Sequence, residues 1–142
     1  MASIVEIADH IKAVVEANAT TVTPQIKKVV YGDVDVVTDS VTVCVAPDSK
    51  SSTLHNSAPT AKRSHTVMVT IYFAFQTDPE YNHRQADVLA ETLETILNAD
   101  HSINGLVTFG MVSALASGYV RKNGELVRTS RLTITAESYD RI

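Results

Sequence analysis

Five histidines, His10, His55, His65, His83 and His101, are the side chains of this sequence best suited to hold a metal or carry a proton. No two of them stand at zinc-ligand spacing, and the one cysteine, Cys44, brings no cluster to join them. Cys44 lies in an apolar run and reads as a small buried hydrophobe rather than a reactive thiol. Asp33, Asp35 and Asp39 follow Gly32 closely enough to suggest a calcium loop. The calcium pattern of about twelve residues, with its closing Glu, is missing, so they read as turn residues beside strands. Glu91 and Glu94 fall on a helical segment and read as a solvated face rather than an acid–base pair. There is no glycine-rich phosphate loop and no nucleophile elbow. The expectation is a protein without catalytic residues, metal or cofactor.

What remains chemically distinctive is cationic. Arg121, Lys122, Arg128 and Arg131 flank one Asn-Gly pair, and Lys50, Lys62 and Arg63 stand in a polar stretch earlier in the chain. These are the candidate partner-facing residues, suited to phosphate or to carboxylates on another protein surface. Tyr119 is the only aromatic near the first group, which makes stacking on single-stranded nucleic acid a weak reading. The net charge of -4 argues against a general DNA binder, which needs a basic surface to displace counterions.

The elements that must position these residues follow from periodicity. The chain has 142 residues and 44% hydrophobic side chains, enough for one domain, 1–142, with a substantial core. Apolar residues recur at helical spacing from Ile4 to Ala17, with Ser3 and Glu6 placed as a capping box. Gln25 to Tyr31 reads as a strand, with Val34 to Val37 a possible continuation, and Val41 to Ala46 as another strand that Pro47 stops. Residues 47–64 are Ser, Thr, Lys and Asn with two prolines, and read as a long polar loop. His65 to Gln76 alternates as a strand. Asp78-Pro79-Glu80 then opens a second helix, whose buried stripe is Ala86, Leu89, Ala90, Leu93, Ile96 and Leu97. The first residues carry no secretory signal, and no stretch is apolar enough to span a membrane as a helix.

Asn123-Gly124 marks a tight hairpin, because a type I′ turn needs positive φ at both central positions. The register that follows sets Leu115 opposite Leu132, Ser113 opposite Ile134, and Met111 opposite Ala136. Gly110, Ala114, Ala116 and Gly118 then share the reverse, small face. Tyr119 faces Arg128 and Ala116 faces Arg131, so the two arginines point to opposite faces. Val107 to Lys122 would span roughly 50 Å at ~3.3 Å per residue, more than the roughly 40 Å diameter of such a domain. The tip is expected to project. The predicted fold is α+β: a two-layer sandwich of a mixed or antiparallel sheet with two helices on one face, plus this projecting C-terminal hairpin.

The segments IADHIKAVVEAN, TDSVTVCVAPD, HTVMVTIYFAFQ, ADVLAETLETILNAD and GYVRKNGELVRTSRLTITAE, in that order, resemble the tail terminator (tail completion) proteins of lambda-like long-tailed phages and their neck relatives. The resemblance implies a structural subunit of a closed, usually hexameric ring. Such a ring caps the tail tube, meets the head connector, and lets DNA pass through its hole without sequence-specific binding. It implies assembly in the host cytoplasm and a final place in the neck of the virion. The family offers no catalytic residues to carry over. Competing readings are a head-completion or stopper protein, a tail tube subunit, and a small α+β ligand-binding or enzymatic domain with its site at a subunit interface.

Overall fold

The computed structural model describes residues 3–54, 60–74 and 79–141. Among them the order is α1 (Ile4–Asn18), β1 (Lys28–Tyr31), β2 (Val41–Leu54), β3 (Thr60–Phe73), α2 (Pro79–Asn98), β4 (Phe109–Lys122) and β5 (Glu125–Arg141). The strands form one sheet in the order β1-β2-β3-β5-β4. β1 runs parallel to β2, and every other pairing is antiparallel. The fold is therefore α+β with two helices and a mixed, five-stranded sheet.

Ser3 caps α1 as its spacing predicts: its Oγ accepts the Glu6 amide at 3.1 Å, satisfying one orphan donor of the first turn. The stripe Ile7, Ala8, Ile11 and Val15 is buried. So are Ala86, Leu89, Ala90 and Leu93 of α2. Both stripes join one core with Val41, Val43, Val45, Val67, Val69, Ile71, Leu132 and Ile134. The ladder sets Val45 against Val69 and Val69 against Leu132, so these strand residues share one face, as a period of two requires. The core face is apolar through these strands, and Arg128, opposite Phe73, stands on the same face at its turn-end margin.

A smaller cluster, Val37, Cys44, Tyr72 and Val127, lies on the opposite face. It exists because β1 is parallel to β2. The chain must cross between them, and residues 32–40 do so against the reverse face instead of extending β1. Val34 to Val37 therefore belongs to this crossover, and β1 is shorter than Gln25 to Tyr31. Asp78, the expected cap of α2, lies outside the described residues.

Residues 47–54 and 60–64 are strand, not loop. β2 runs through Pro47 to Leu54 and pairs with Ala61 to Val67 of β3, while residues 55–59 lie outside the described residues. Pro47 does not end the strand because the register shifts between Pro47 and Ser49, where a bulge tolerates a residue with no N–H. β1 has already stopped at Val45, so no ladder bond is lost on that edge. Pro47, Asp48 and Lys50 are poor strand formers, and pairing of β3 with Glu137 to Arg141 of β5 on its other side overrides their propensity.

A second bulge corrects the register at the base of the last hairpin. Leu115 is opposite Leu132 as expected, but Ala114 meets Thr133 and Val112 meets Ile134, leaving Ser113 as the extra residue. Met111 then faces Thr135, and Gly110 faces Ala136. The extra residue inverts the faces below it. Gly110 and Val112 turn into the core, and Met111 is exposed. Gly110 is thus not part of the small reverse face; a Cβ there would sit 2.7 Å from Ile103 Cδ1.

Candidate interaction surfaces at the two ends of the sheet

At the turn end, Asn123 (φ 52) and Gly124 (φ 80) both take the positive φ of a type I′ turn. β3 stops at Phe73, opposite Arg128, so β4 and β5 run past it to the turn. The ribbon is braced on both faces. On the helix side Arg128 is only 8% exposed. It donates to Asp87 Oδ1 at 3.4 Å and lies 5.5 Å from the centre of the Tyr119 ring. The Tyr119 hydroxyl in turn is hydrogen-bonded to His83 Nε2. On the reverse side Lys122 donates to Asp33 Oδ2 at 2.8 Å and lies 5.2 Å from the centre of the Tyr72 ring. The Tyr72 hydroxyl donates to Asp33 Oδ1 at 2.7 Å.

These partners set the local electrostatics. Burial works to raise the Asp33 carboxyl, but donors from Lys122, Tyr72 and the Val34 amide outweigh it and hold the group below its ordinary value. Burial, then the Asp33 contact, pushes the Tyr72 hydroxyl up. Burial, with the charge of Asp33 adding, pushes the Cys44 thiol up to about 11, so it stays protonated and unreactive at neutral pH.

At the other end, β4 begins at Phe109, opposite Glu137, while β2, β3 and β5 continue further. Lys62 pairs with Glu137 at 3.2 Å, Arg63 Nη1 donates to Ser52 Oγ at 3.1 Å, and Lys50 is exposed. The register joins Phe73 to Arg128 and Lys62 to Tyr139. Eleven residues of β5 thus separate the two basic groups, roughly 36 Å at ~3.3 Å per residue. The structure therefore divides the cationic candidates: Arg121, Lys122 and Arg128 at the turn end, and Lys50, Lys62 and Arg63 at the far end. Arg131 stands between them on the reverse face, opposite Thr70 and Ala116.

Around Arg131 the reverse face is concave. A recess of ≈ 250 Å³ is lined by Gly32, Asp33, Cys44, Ala46, Asp48, Met68, Thr70, Tyr72 and Arg131. Its wall at the turn end is the crossover of residues 32–40. Arg131 and Asp48 are exposed, and neither has a hydrogen bond or salt bridge among the described residues.

Sequence reasoning placed Arg128 and Arg131 on opposite faces, and the ladder does so. It did not pair Asp33, His83 or Asp87 with Lys122, Tyr119 or Arg128, because each contact is distant in sequence: Lys122 lies 89 positions from Asp33, and Arg128 lies 41 from Asp87. Only the Gly32-Asp33 turn signal marked one of them. Of the histidines, His65 is buried on β3, His83 is the Tyr119 partner, and His101 stacks on Phe109 at 5.1 Å. Among the described residues no group of three His, Cys, Asp or Glu could hold a metal ion. Glu91 is exposed on α2, and Asp35 is exposed in the crossover. No helix of the described residues is long and apolar enough to cross a membrane. Compared with known proteins, the chain matches no family model and no curated sequence.

Proposed function

We propose that this chain is a structural subunit of a phage neck: one member of a ring, hexameric on the tail terminator resemblance, that caps the tail tube and joins it to the head connector. The observation that carries the reading is the two-ended sheet. Two long antiparallel strand pairs, β2–β3 and β4–β5, extend toward opposite ends of the sheet, each carrying basic side chains near its end, roughly 36 Å apart along β5. A subunit held between two different neighbours needs two such ends. A closed ring also needs heterologous contacts between unlike surfaces of adjacent copies. On this reading the helices and the apolar face of the sheet form a two-layer sandwich, a rigid body from which the β4–β5 turn and the β2–β3 end project. The net charge of -4 suits a ring through which DNA slides without being held.

The test is removal of the chain from a phage that encodes it. Lysates should then contain tails of abnormal length that fail to join heads. Tails of normal length beside DNA-leaking heads would assign the chain to head completion or stopping. A chain found along the whole tail would make it a tube subunit. The recess beside Arg131 favours one further reading, a small ligand-binding domain. Saturable binding of a small polar molecule there, with normal tails in the deletion, would support it instead.

A further inference from the structure

The recess and the turn each present one cation and one anion, and among the described residues none of the four is in a salt bridge. The recess presents Arg131 and Asp48; the turn presents Glu125 and Arg121. Among the described residues Arg131, Asp48 and Glu125 have no hydrogen bond or salt bridge. Arg121 reaches only the Gly124 carbonyl, at 3.4 Å. Glu125 cannot serve its own recess. It lies six positions from Arg131 on the same strand, roughly 20 Å away at ~3.3 Å per residue. An intramolecular pair is thus ruled out by geometry, and a second copy has no such restriction.

We infer that the recess on the reverse face receives the β4–β5 turn of a second copy, with the incoming Glu125 carboxylate bonding the Arg131 guanidinium and the incoming Arg121 meeting Asp48. The inference rests on the ring reading and names its subunit contact. The volume of ≈ 250 Å³ suits the turn. That is far more than the roughly 10 to 15 Å³ that a single water needs, so the recess has room for side chains. A type I′ turn is narrow, and its Asn123 and Gly124 are exposed, so the turn can enter without moving the core. The floor of the recess is also suited to dock it. Cys44, Thr70 and Tyr72 are buried and fixed in the ladder, so the floor beside Arg131 is formed before a partner arrives. The contact is heterologous, turn into recess, so each copy gives one and receives one. Repeated around an axis, such a contact builds a ring when the rotation between copies closes.

Charge exchange tests it on the full chain. Arg131→Glu and Glu125→Arg are each made alone and then together. Both side chains are exposed, so all three variants should keep the wild-type circular dichroism and melting temperature. Self-association is followed by sedimentation and negative-stain imaging, alone and with tube ends added. Each single reversal should weaken ring formation by at least about tenfold, and the double reversal should restore most of it. A wild-type ring that tolerates both single reversals overturns this contact and leaves the ring reading standing. So does a double variant no better than the worse single one. A wild-type chain that forms no ring, alone or on tube ends, overturns both.

Discussion

Arg128 is only 8% exposed, so a charge at its position is tolerated only when it is paired. Its contacts are Asp87 and the Tyr119 ring, all within one chain. Arg128→Glu would bury a second carboxylate beside Asp87 with no cation between them. Urea unfolding should show a loss of roughly 2 to 5 kcal/mol, while Arg131→Glu, on an exposed position, should cost less than about 1 kcal/mol. A double reversal of both arginines therefore confounds folding with assembly. Arg131 alone is the clean probe. Asp33 sets a second expectation. Its folded value is depressed, so its contribution is complete above the ordinary 3.8 and is lost as pH falls through the lower folded value. Asp33→Asn should reduce stability at neutral pH and make the acid loss below about pH 4 shallower than in the wild type, as read by melting temperature against pH.

At the scale of elements, the last hairpin has two parts with different duties. Its base is core: β5 lies between β3 and β4, and Leu132, Ile134 and Ala136 are buried. Its tip beyond Val127 is braced by side chains only. Gly124→Val should therefore cost on the order of 1 to 3 kcal/mol, because a β-branched residue is strained at φ 80. Helicity should persist in circular dichroism, with the loss confined to amide protection near the turn. The free edge of β4 is managed at its base. The Gly110 amide donates to the His101 carbonyl at 2.6 Å, and the Val112 amide donates to Asn98 Oδ1 at 2.8 Å. Together with the bulge at Ser113, these contacts keep that stretch from pairing with a foreign strand. Ile103 and Asn104, at φ 49 and 57, are held in this bend by Asp100, whose carboxylate accepts the Asn104 amide at 2.6 Å.

At the scale of the whole molecule, the two ends are separable targets. On the proposed ring, the turn end and recess serve contacts between copies. The β2–β3 end, with Lys50, Lys62 and Arg63, would on that proposal serve a neighbour along the tail axis. Lys50→Glu, an exposed change outside the core, should leave the fold and the ring intact but weaken joining to that neighbour, measured by tail-joining with rings already formed. An unchanged joining rate would return this end to solvated surface, where exposed ion pairs such as Lys62–Glu137 contribute only ~0 to 1 kcal/mol.

Periodicity and turn chemistry, read from the sequence alone, determined the helices, the buried stripes, the tight turn at Asn123-Gly124 and the opposite facing of Arg128 and Arg131. These are local properties, set by a repeat of 3.6 or 2 residues or by the φ that a single position allows. Only the tertiary structure decided the rest. Residues 47–54 and 60–64 are strand because neighbouring strands supply the ladder that their own propensity does not. Ser113 bulges and turns Gly110 under Ile103, a shift of one residue that alternation alone cannot register. Crossing to a parallel strand laid residues 32–40 over the reverse face. That crossing brought Asp33 to Lys122 and Tyr72, and shaped the recess in which Arg131 stands. Contacts between groups so far apart in the chain leave no periodic trace, because pairing across the sheet, and not spacing along it, creates them.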